Sequence, residues 1–268
     1  MTVCYSRRLM LHPFLNIATQ AARAAAKVIL RHVDQMDKVI VSEKSPRDLV
    51  TQVDQQAENI IIEIIQQHYP NHAIIAEESG EQATHADYTW VIDPLDGTRN
   101  FAHGFLHFCI SIAVLNKNKQ AEVGLIYDPI RQELFSATRG QGAYVNSRRM
   151  RVSNIKKLEM GLIGTGLPFR NPEETEQYFT VLKNVFTHCG DIRRAGSAAL
   201  DLAYVAAGRL DGYWEIGLKL WDIAAGSLMI KEAGGLITDF QGNDNYLNTG
   251  YVLAGNMKIH QALRALVC

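Results

Sequence analysis

The spacing of apolar residues predicts two helices near the start of the chain. Apolar and small residues recur every three or four positions over residues 14–31, the pattern of an amphipathic helix. A second helix is expected to begin after Thr51, whose hydroxyl is a good N-cap, and to bury a face that includes Val53, Ala57 and Ile61. Tyr69-Pro70 is expected to end it. Asp54 therefore lies in the first turn of the second helix.

Short β-like runs follow, and acidic residues come directly after the first two of them. The predicted strands of this part cover residues 73–76, 90–92, 108–115, 121–127 and 133–138. The last two are separated by the turn-forming pair Asp128-Pro129. This succession predicts an antiparallel sheet with carboxylates at the ends of its strands.

The pattern changes after Met150. The predicted elements beyond it are a strand and turn over residues 161–166, helices near 173–188, 197–208 and 221–233, and strands over 236–240 and 251–254. Gly234-Gly235 is expected to close the last helix. We therefore divide the chain into an N-terminal subdomain, residues 1–150, and a C-terminal subdomain, residues 151–268, which form one compact unit.

Composition and charge narrow the possible functions. With 268 residues, 47% of them hydrophobic, the chain can bury a sizeable core. A formal net charge of −1 argues against broad nucleic-acid binding. No apolar run is long enough for a membrane span or a secretory signal. The cysteines at positions 4, 109, 189 and 268 lack zinc or disulfide spacing, so free thiols in a cytoplasmic protein are expected.

Several carboxylates occupy positions where they can converge. Residues 93–98 place Asp93, Asp96 and a hydroxyl in one turn, Glu77-Glu78 follows another strand, and Asp222 stands at a helix start. Each alone has an ordinary explanation in a turn, an N-cap or solvated surface. Carboxylates clustered without a cation would repel one another, and one or more would remain protonated at neutral pH. Mg²⁺ removes that conflict because it prefers oxygen ligands.

The motifs around these carboxylates resemble a known family. The stretches WVIDPLDGT at 90–98, WDIAAG at 221–226 and EAGG at 232–235 resemble, in order and separation, the signature motifs of the inositol monophosphatase family. Gly196-Ser197-Ala198-Ala199-Leu200-Asp201 resembles the family's substrate-contacting helix start, and Asp48-Leu49-Val50-Thr51 with Asp54 resembles its N-terminal catalytic loop. The match covers about residues 14–254, and we expect residues 1–9 to be a start-site extension or an unordered tail.

The resemblance implies an α/β (α+β layered) sugar-phosphatase fold. Its αβαβα layers contain an N-terminal antiparallel sheet and a smaller C-terminal mixed sheet. It also implies Mg²⁺-dependent, lithium-sensitive hydrolysis of inositol 1-phosphate with two to three ions per site. By resemblance, Glu77, Asp93 and the carbonyl of Leu95 hold the first ion. Asp93, Asp96 and Asp222 hold the second, and Glu77 helps to hold a third.

The remaining roles implied by the resemblance concern water and substrate. Thr98 and Glu77 position the attacking water, and Asp54 supports Thr98 by a hydrogen bond. Glu215 corresponds to the carboxylate that binds substrate hydroxyls. The implied substrate-binding set is Asp96, Gly97, Thr98, Gly196, Ser197, Ala198, Glu215 and Asp222.

Two positions depart from the family pattern. Arg99 stands where threonine is usual, and Leu106 replaces a common proline. We expect altered kinetics or specificity, since neither change removes a proposed ligand.

Three other features suggest chemistry but are expected to be structural. His103 and His107 are predicted to lie in a loop and not to bind metal. Residues 139–142 predict a plain turn instead of a phosphate loop. Arg193-Arg194 is expected to be solvated surface.

Two alternative functions stay open at this point. The first is another phosphatase of the superfamily, acting on fructose 1,6-bisphosphate or a 3′-phosphonucleotide. Specificity between these substrates depends on residues 165–169, residues 196–198 and Glu215. The second alternative, which the resemblance implies, is a partner-binding role in ribosomal RNA transcription antitermination. The expected partners are a small phosphorylated polyol, a second copy of the chain in a homodimer, and the transcription machinery, with no membrane.

Overall fold

The computed structural model describes residues 12–33, 35, 39–45, 48–82, 86–169 and 172–267. The expectations for residues 1–9, Cys4 and Cys268 lie outside these ranges. The helices are α1 Pro13–Val33, α2 Gln52–His68, α3 Thr98–Ala102, α4 Thr175–Phe186, α5 Ala198–Ala206, α6 Leu220–Glu232, α7 Tyr246–Thr249 and α8 Met257–Val267. Within these ranges, short 3₁₀ helices cover Leu158–Met160 and Pro172–Glu174.

The strands fall close to the predicted positions and add several short ones. They are β1 Val41–Ser45, β2 Asp48–Thr51, β3 Ala73–Ala76, β4 Gly80–Gln82, β5 Tyr88–Asp96, β6 Cys109–Asn116, β7 Ala121–Asp128, β8 Glu133–Thr138, β9 Gly142–Val145, β10 Arg148–Arg149, β11 Leu162–Thr165, β12 Asp191–Arg193, β13 Gly212–Glu215, β14 Leu236–Thr238 and β15 Val252–Gly255.

The predicted start of α2 is confirmed in detail. The hydroxyl of Thr51 accepts hydrogen bonds from the amides of Val53 and Asp54, and the Asp54 carboxylate accepts one from the Thr51 amide. This reciprocal capping box satisfies amides that would otherwise lack partners at the helix start. The expected role of Asp48 and Leu49 concerns side chains outside those described.

The larger sheet has eight strands in the order β10-β9-β8-β7-β6-β5-β3-β4. The prediction of a wholly antiparallel sheet is wrong at one pair, because β3 and β5 run parallel. The chain forms the hairpin β3-β4 and then returns to pair β5 with the other side of β3. Two strands that run in the same direction thus become neighbours, which places Glu77 and Asp93 at the same end of the sheet.

The smaller sheet is mixed, as predicted. Its order is β12-β11-β13-β15-β14. Strand β11 runs parallel to β12 and β13, whereas β15 pairs antiparallel with β13 and β14. The strand β13 therefore lies in the middle of the sheet and ends at Glu215.

Three apolar cores join the layers. Helices α1 and α2 pack on one face of the large sheet around Trp90 and Ile112. Helices α5 and α6 fill the space between the two sheets. Helices α4 and α8 cover the outer face of the small sheet around Trp214. The αβαβα arrangement is confirmed.

The layers lie close together where the site is built. A Cβ added at Gly124 of β7 would lie 2.7 Å from the carbonyl oxygen of Ala225 in α6, so glycine permits that approach. The division at residue 150 stays a prediction. Within the described part of the chain, no helix has the length and apolar character needed to cross a membrane.

Candidate active site

A buried carboxylate cluster forms where β5 ends and α6 begins. The ladder between β5 and β6 is irregular between Asp93 and Asp96, around Pro94, and proline cannot donate a ladder hydrogen bond. Asp222 is the third residue of α6, and its Oδ2 accepts a hydrogen bond from the Lys219 amide at 2.7 Å. Carboxylate oxygens of Asp93, Asp96 and Asp222 all lie within 4.8 Å of one another.

The surroundings of Asp93 fit a cation site. Asp93 is 1% exposed, and its Oδ1 accepts the Leu95 amide at 3.0 Å. Burial, together with the charges of Glu77, Asp96 and Asp222, raises the pKa of Asp93 well above its ordinary value. A divalent cation would offset this repulsion and satisfy hard oxygen donors. The four carboxylates therefore fit a binding site for Mg²⁺.

Glu77 reaches this cluster from the end of β3. Its amide donates to the carbonyl of Ile92 at 3.1 Å, and its carboxyl is hydrogen-bonded to Asp93. The turn that follows is held by the buried Glu58, whose carboxylate accepts the amides of Glu78 at 2.9 Å and Ser79 at 2.8 Å. Glu58 was not singled out from the sequence, where it resembles any polar position of an amphipathic helix.

Thr98 and Asp54 form a second polar unit beside the cluster. The Thr98 hydroxyl lies 2.9 Å from Oδ1 of Asp54 and 3.0 Å from the carbonyl oxygen of Leu95. Thr98 lines the cavity, whereas Asp54 lies behind it. Burial is the main cause that raises the pKa of Asp54 to about 6, against the opposing effect of its hydrogen bonds with Thr51. The predicted hydrogen bond between Asp54 and Thr98 is present.

Gly97 lets the chain turn into α3 at this point. Its φ is +97°, and an added Cβ would lie 3.0 Å from the His107 carbonyl oxygen. Helix α3 starts at Thr98, so the amides of Gly97 and Thr98 stand at a helix start, as predicted. The Asn100 amide group donates to carbonyl oxygens of His107 at 2.8 Å and Ala195 at 2.9 Å, which ties this turn to the loop before α5.

One cavity unites the predicted positions from both halves of the chain. Its lining includes Glu77, Asp93, Leu95, Asp96, Gly97, Thr98, Gly196, Ser197, Ala198, Glu215 and Asp222. Arg99, one of the two departures from the family pattern, also lines it. Leu106 is exposed and does not line this cavity.

Glu215 lines the same cavity as the carboxylate cluster, and close packing holds its side chain in place. The Tyr213 hydroxyl donates a hydrogen bond to its carboxylate. A Cβ added at Gly166 would lie 1.8 Å from Oε1 of Glu215, so the carboxylate occupies the space that a side chain at position 166 would need. The substrate contact of Glu215 stays a prediction.

Ser197 makes a contact that differs from its predicted role. Its hydroxyl lies 2.6 Å from Oδ2 of Asp96, and the Ala199 amide donates to the same oxygen at 2.8 Å. Ser197 is 1% exposed. The hydroxyl thus contacts a proposed metal ligand directly.

Two charged residues that line the cavity were given no role in the site from the sequence. Arg194 is exposed, as expected for Arg193-Arg194, and it also lines the cavity, with its guanidinium 5.0 Å from the centre of the Phe169 ring. Its position two residues before Gly196 was the available signal. Asp201 also lines the cavity, and burial raises the pKa of its carboxyl well above the ordinary value, with a further contribution from Glu215.

The histidine pair and the glycine turn set aside in the sequence lie away from the proposed metal ligands. His103 and His107 belong to no group of potential metal ligands, since the one such group in the described ranges is Asp93, Asp96 and Asp222. The turn at 139–142 is occupied by Glu232, whose carboxylate accepts the amides of Gly140 at 2.7 Å and Gly142 at 2.8 Å. That carboxylate takes the place that an anion would need.

Comparison with known proteins agrees with this geometry. The model of the inositol monophosphatase family matches residues 10–268. The Nus factor SuhB of Escherichia coli strain K12 is 50% identical over 256 residues, which cover 95% of this chain and 96% of that protein.

Two solved structures share the fold. The extragenic suppressor protein suhB from Bartonella henselae has a TM-score of 0.92 and 41% identity, covering 96% of this chain and 98% of that one. The inositol monophosphatase from Anabaena (Nostoc) sp. PCC 7120 has a TM-score of 0.85 and 40% identity, covering 95% and 94%. The resemblance expected from the motifs is confirmed: this chain belongs to the inositol monophosphatase family.

Proposed function

We propose that this protein is a Mg²⁺-dependent phosphatase that hydrolyses inositol 1-phosphate to inositol and phosphate. The observation that carries the proposal is the cluster of Asp93, Asp96 and Asp222, which lines a cavity that Glu215 also lines. A cation-binding cluster and a further carboxylate that can accept from hydroxyls in one cavity suit a phosphorylated polyol.

The residues assigned to the ions are those of the cluster and its neighbours. Glu77, Asp93 and the Leu95 carbonyl would hold one Mg²⁺, and Asp93, Asp96 and Asp222 a second, with Glu77 assisting a third. When bound, Mg²⁺ lowers the pKa of water and offsets the charge of the phosphate. Occupation of one of these sites by lithium would inhibit the enzyme.

Thr98 and Glu77 are the residues proposed to orient the attacking water. The Thr98 hydroxyl is fixed by Asp54 and the Leu95 carbonyl, so its lone pairs can accept a hydrogen bond from water within the cavity. Glu77 can accept the proton that the water loses as its oxygen bonds to phosphorus, while the bond from phosphorus to the inositol oxygen breaks and that oxygen takes up a proton from solvent. Asp54 stays behind Thr98 and acts through it.

Recognition of the polyol is assigned to Glu215 and to the loop before α5. The Glu215 carboxylate accepts hydrogen bonds from ring hydroxyls, and the backbone of residues 196–198 lies beside the ring. The phosphate lies nearer to the carboxylate cluster, where the amides of Gly97 and Thr98 at the start of α3 can donate to it. Asp96 and Asp222 are also assigned to substrate contact.

A second candidate function has separate support. The relative from Escherichia coli is named a Nus factor, so we also infer a partner-binding role in ribosomal RNA transcription antitermination. This role is compatible with catalysis and places the protein in the cytoplasm, in agreement with the free thiols of Cys109 and Cys189. A homodimer is proposed for the catalytic form.

A phosphate-release panel tests the catalytic proposal. Purified protein with Mg²⁺ should be given inositol 1-phosphate, glycerol 2-phosphate, fructose 1,6-bisphosphate and a 3′-phosphoadenosine nucleotide, with Asp93→Asn as the inactive control. We expect inositol 1-phosphate to have the highest kcat/KM. A clear preference for the bisphosphate or the nucleotide would replace the substrate assignment, and Mg²⁺-independent turnover would remove the mechanism.

A further inference from the structure

We propose that Ser197 is a positioning residue for the proposed metal ligand Asp96, and not primarily a substrate contact. The proposal rests on the proposed metal-dependent function, since it concerns how the protein prepares Asp96 for a cation. It assigns to the start of α5 a task in the cation site that is separate from recognition of the polyol.

Two donors converge on a single oxygen of Asp96. Oδ2 accepts the Ser197 hydroxyl at 2.6 Å and the Ala199 amide at 2.8 Å. A hydroxyl carries one hydrogen, and this short distance shows that the hydrogen is given to the carboxylate. Ser197 therefore has no second hydrogen to donate to a substrate. Its burial, at 1% exposure, further restricts such a contact.

The Ser197 side chain does not make the usual N-cap hydrogen bond, which supports this role. A serine at an N-cap normally accepts a hydrogen bond from the second or third amide of its own helix. Ser197 is the N-cap of α5 but makes no such bond. The Ala199 amide, which stands at the second position, is instead satisfied by Asp96. Asp96, at the end of β5, thus caps α5, and the Ser197 hydroxyl donates a second hydrogen bond to the same carboxylate oxygen.

This arrangement fixes the carboxylate from one side. Two hydrogen bonds to one oxygen restrict rotation about the Cβ–Cγ bond of Asp96, and the partly positive start of α5 favours its charge. Supporting hydrogen bonds of this kind typically change metal affinity by roughly 10–100-fold. Removal of the Ser197 hydroxyl should therefore weaken the cation site while the ligand itself is retained.

Cys109 provides a matched control from the same pocket. Its thiol lies 3.6 Å from the Ser197 hydroxyl and 3.9 Å from Oδ2 of Asp96, and it is fully buried. Burial, followed by the charge of Asp96, raises the pKa of the Cys109 thiol well above its ordinary value, so the group is an uncharged, weak donor. Cys109→Ala disturbs the packing at the same place without removing a strong hydrogen bond.

The test measures metal binding without substrate. Mn²⁺ is titrated into wild type, Ser197→Ala, Ser197→Thr and Cys109→Ala and followed by electron paramagnetic resonance. We expect the Kd for Mn²⁺ to rise roughly tenfold or more in Ser197→Ala, to stay near wild type in Ser197→Thr, and to change less than about threefold in Cys109→Ala. If Ser197→Ala folds poorly, Ser197→Gly should show the same loss, because glycine is tolerated at an N-cap.

Kinetics at saturating Mg²⁺ separate the two roles of Ser197. We expect the KM for inositol 1-phosphate to be nearly unchanged in Ser197→Ala. Wild-type Mn²⁺ affinity with a raised KM would overturn the positioning role and restore a substrate contact. Mn²⁺ should also bind wild type more tightly than Asp93→Asn. Equal or absent binding in these two proteins would overturn the proposed function itself, so failure of the positioning role and failure of the function give different results.

Discussion

The hydroxyl of Thr98 lies 2.9 Å from Oδ1 of Asp54, and this contact joins the start of α2 to the turn that carries the proposed metal ligands. The Asp54 carboxylate also accepts a hydrogen bond from the amide of Thr51, the N-cap residue of α2. One carboxylate therefore stabilises a helix start and orients the hydroxyl that faces the cavity. Burial raises the pKa of Asp54 to about 6. Ionisation of this carboxylate at neutral pH therefore lowers the free energy of unfolding.

Thr98→Ala should lower kcat by roughly 100-fold or more and leave KM largely unchanged. The alanine cannot orient water, and loss of a group that acts on the water affects turnover more than ground-state binding. Thr98→Ser keeps the hydroxyl and should retain most of the activity. Steady-state kinetics with inositol 1-phosphate at saturating Mg²⁺ check the pair. A change confined to KM in Thr98→Ala would contradict the assigned role.

Asp93→Asn should abolish turnover and stabilise the metal-free protein. The asparagine oxygen can still accept the Leu95 amide, but the charge that is repelled by Glu77, Asp96 and Asp222 is gone. Thermal melting in EDTA should therefore show an increase in Tm, with roughly 2–4 °C for each kcal/mol gained. Addition of Mg²⁺ should raise the Tm of wild type much more than that of the variant. An equal response of both proteins would place Mg²⁺ elsewhere.

Asp222→Asn and Glu215→Gln should have separable defects. The first removes a charged oxygen from the carboxylate cluster, so the Mg²⁺ concentration for half-maximal activity should rise for every substrate, and excess Mg²⁺ should partly restore turnover. The second should lower kcat/KM for inositol 1-phosphate more than for glycerol 2-phosphate, and added Mg²⁺ should not restore it. Asparagine and glutamine can still accept from Lys219 and Tyr213, respectively, so folding should be little affected. Identical Mg²⁺ profiles would refute the separation.

Gly166→Ala tests whether the position of Glu215 determines selectivity. The added Cβ would lie 1.8 Å from Oε1, which forces the carboxylate to move. We expect kcat/KM for inositol 1-phosphate to fall roughly tenfold, equivalent to about 1.4 kcal/mol, with an unchanged Mg²⁺ requirement. In a Glu215→Ala background the same substitution should add little, because the group it displaces is gone. Additive losses would show that position 166 acts by another route.

The sequence predicted most elements, because their signals are local. The Thr51 cap, the strand at residues 73–76 and the turn after β5 each depend on residues close together in the chain. The parallel pairing of β3 with β5 could not be predicted from periodicity, since alternation along a strand does not say which neighbour it will take. It depends on where the hairpin β3-β4 folds relative to the rest of the sheet.

The site residues also divide into those with local signals and those whose contacts depend on the fold. The proposed metal ligands belong to two contiguous motifs and to Glu77, so their types and spacing indicated a shared site before any coordinates. The cavity position of Arg194 and the contact of the Ser197 hydroxyl with Asp96 were not predicted, because both depend on tertiary structure. Asp96 and Ser197 are separated by 101 positions, and nothing local shows that Asp96 takes over the capping of α5. Distances of this kind require the fold.

A buried histidine far from the cavity should make stability depend on pH. His260 of α8 is 3% exposed, and its Nε2 lies 2.8 Å from the Thr238 hydroxyl, which itself donates to the carbonyl oxygen of Asp239 at 2.7 Å. The hydroxyl hydrogen is thus used, so the histidine must donate from Nε2. Burial, with a smaller contribution from Arg264, lowers the pKa of His260 from 6.5 to about 4.

The sign of the effect follows from this lowered pKa. The unfolded chain binds a proton at position 260 near pH 6.5, whereas the folded protein does so only near pH 4, so acidification between these values favours unfolding. We expect wild type to lose roughly 1–3 kcal/mol from this group over that interval. His260→Gln can still donate to Thr238 and cannot titrate, so its stability should fall less steeply. Urea unfolding of both proteins at pH 7.5, 6, 5 and 4.5 measures the difference. Parallel curves for the two proteins would show that His260 does not govern this pH dependence.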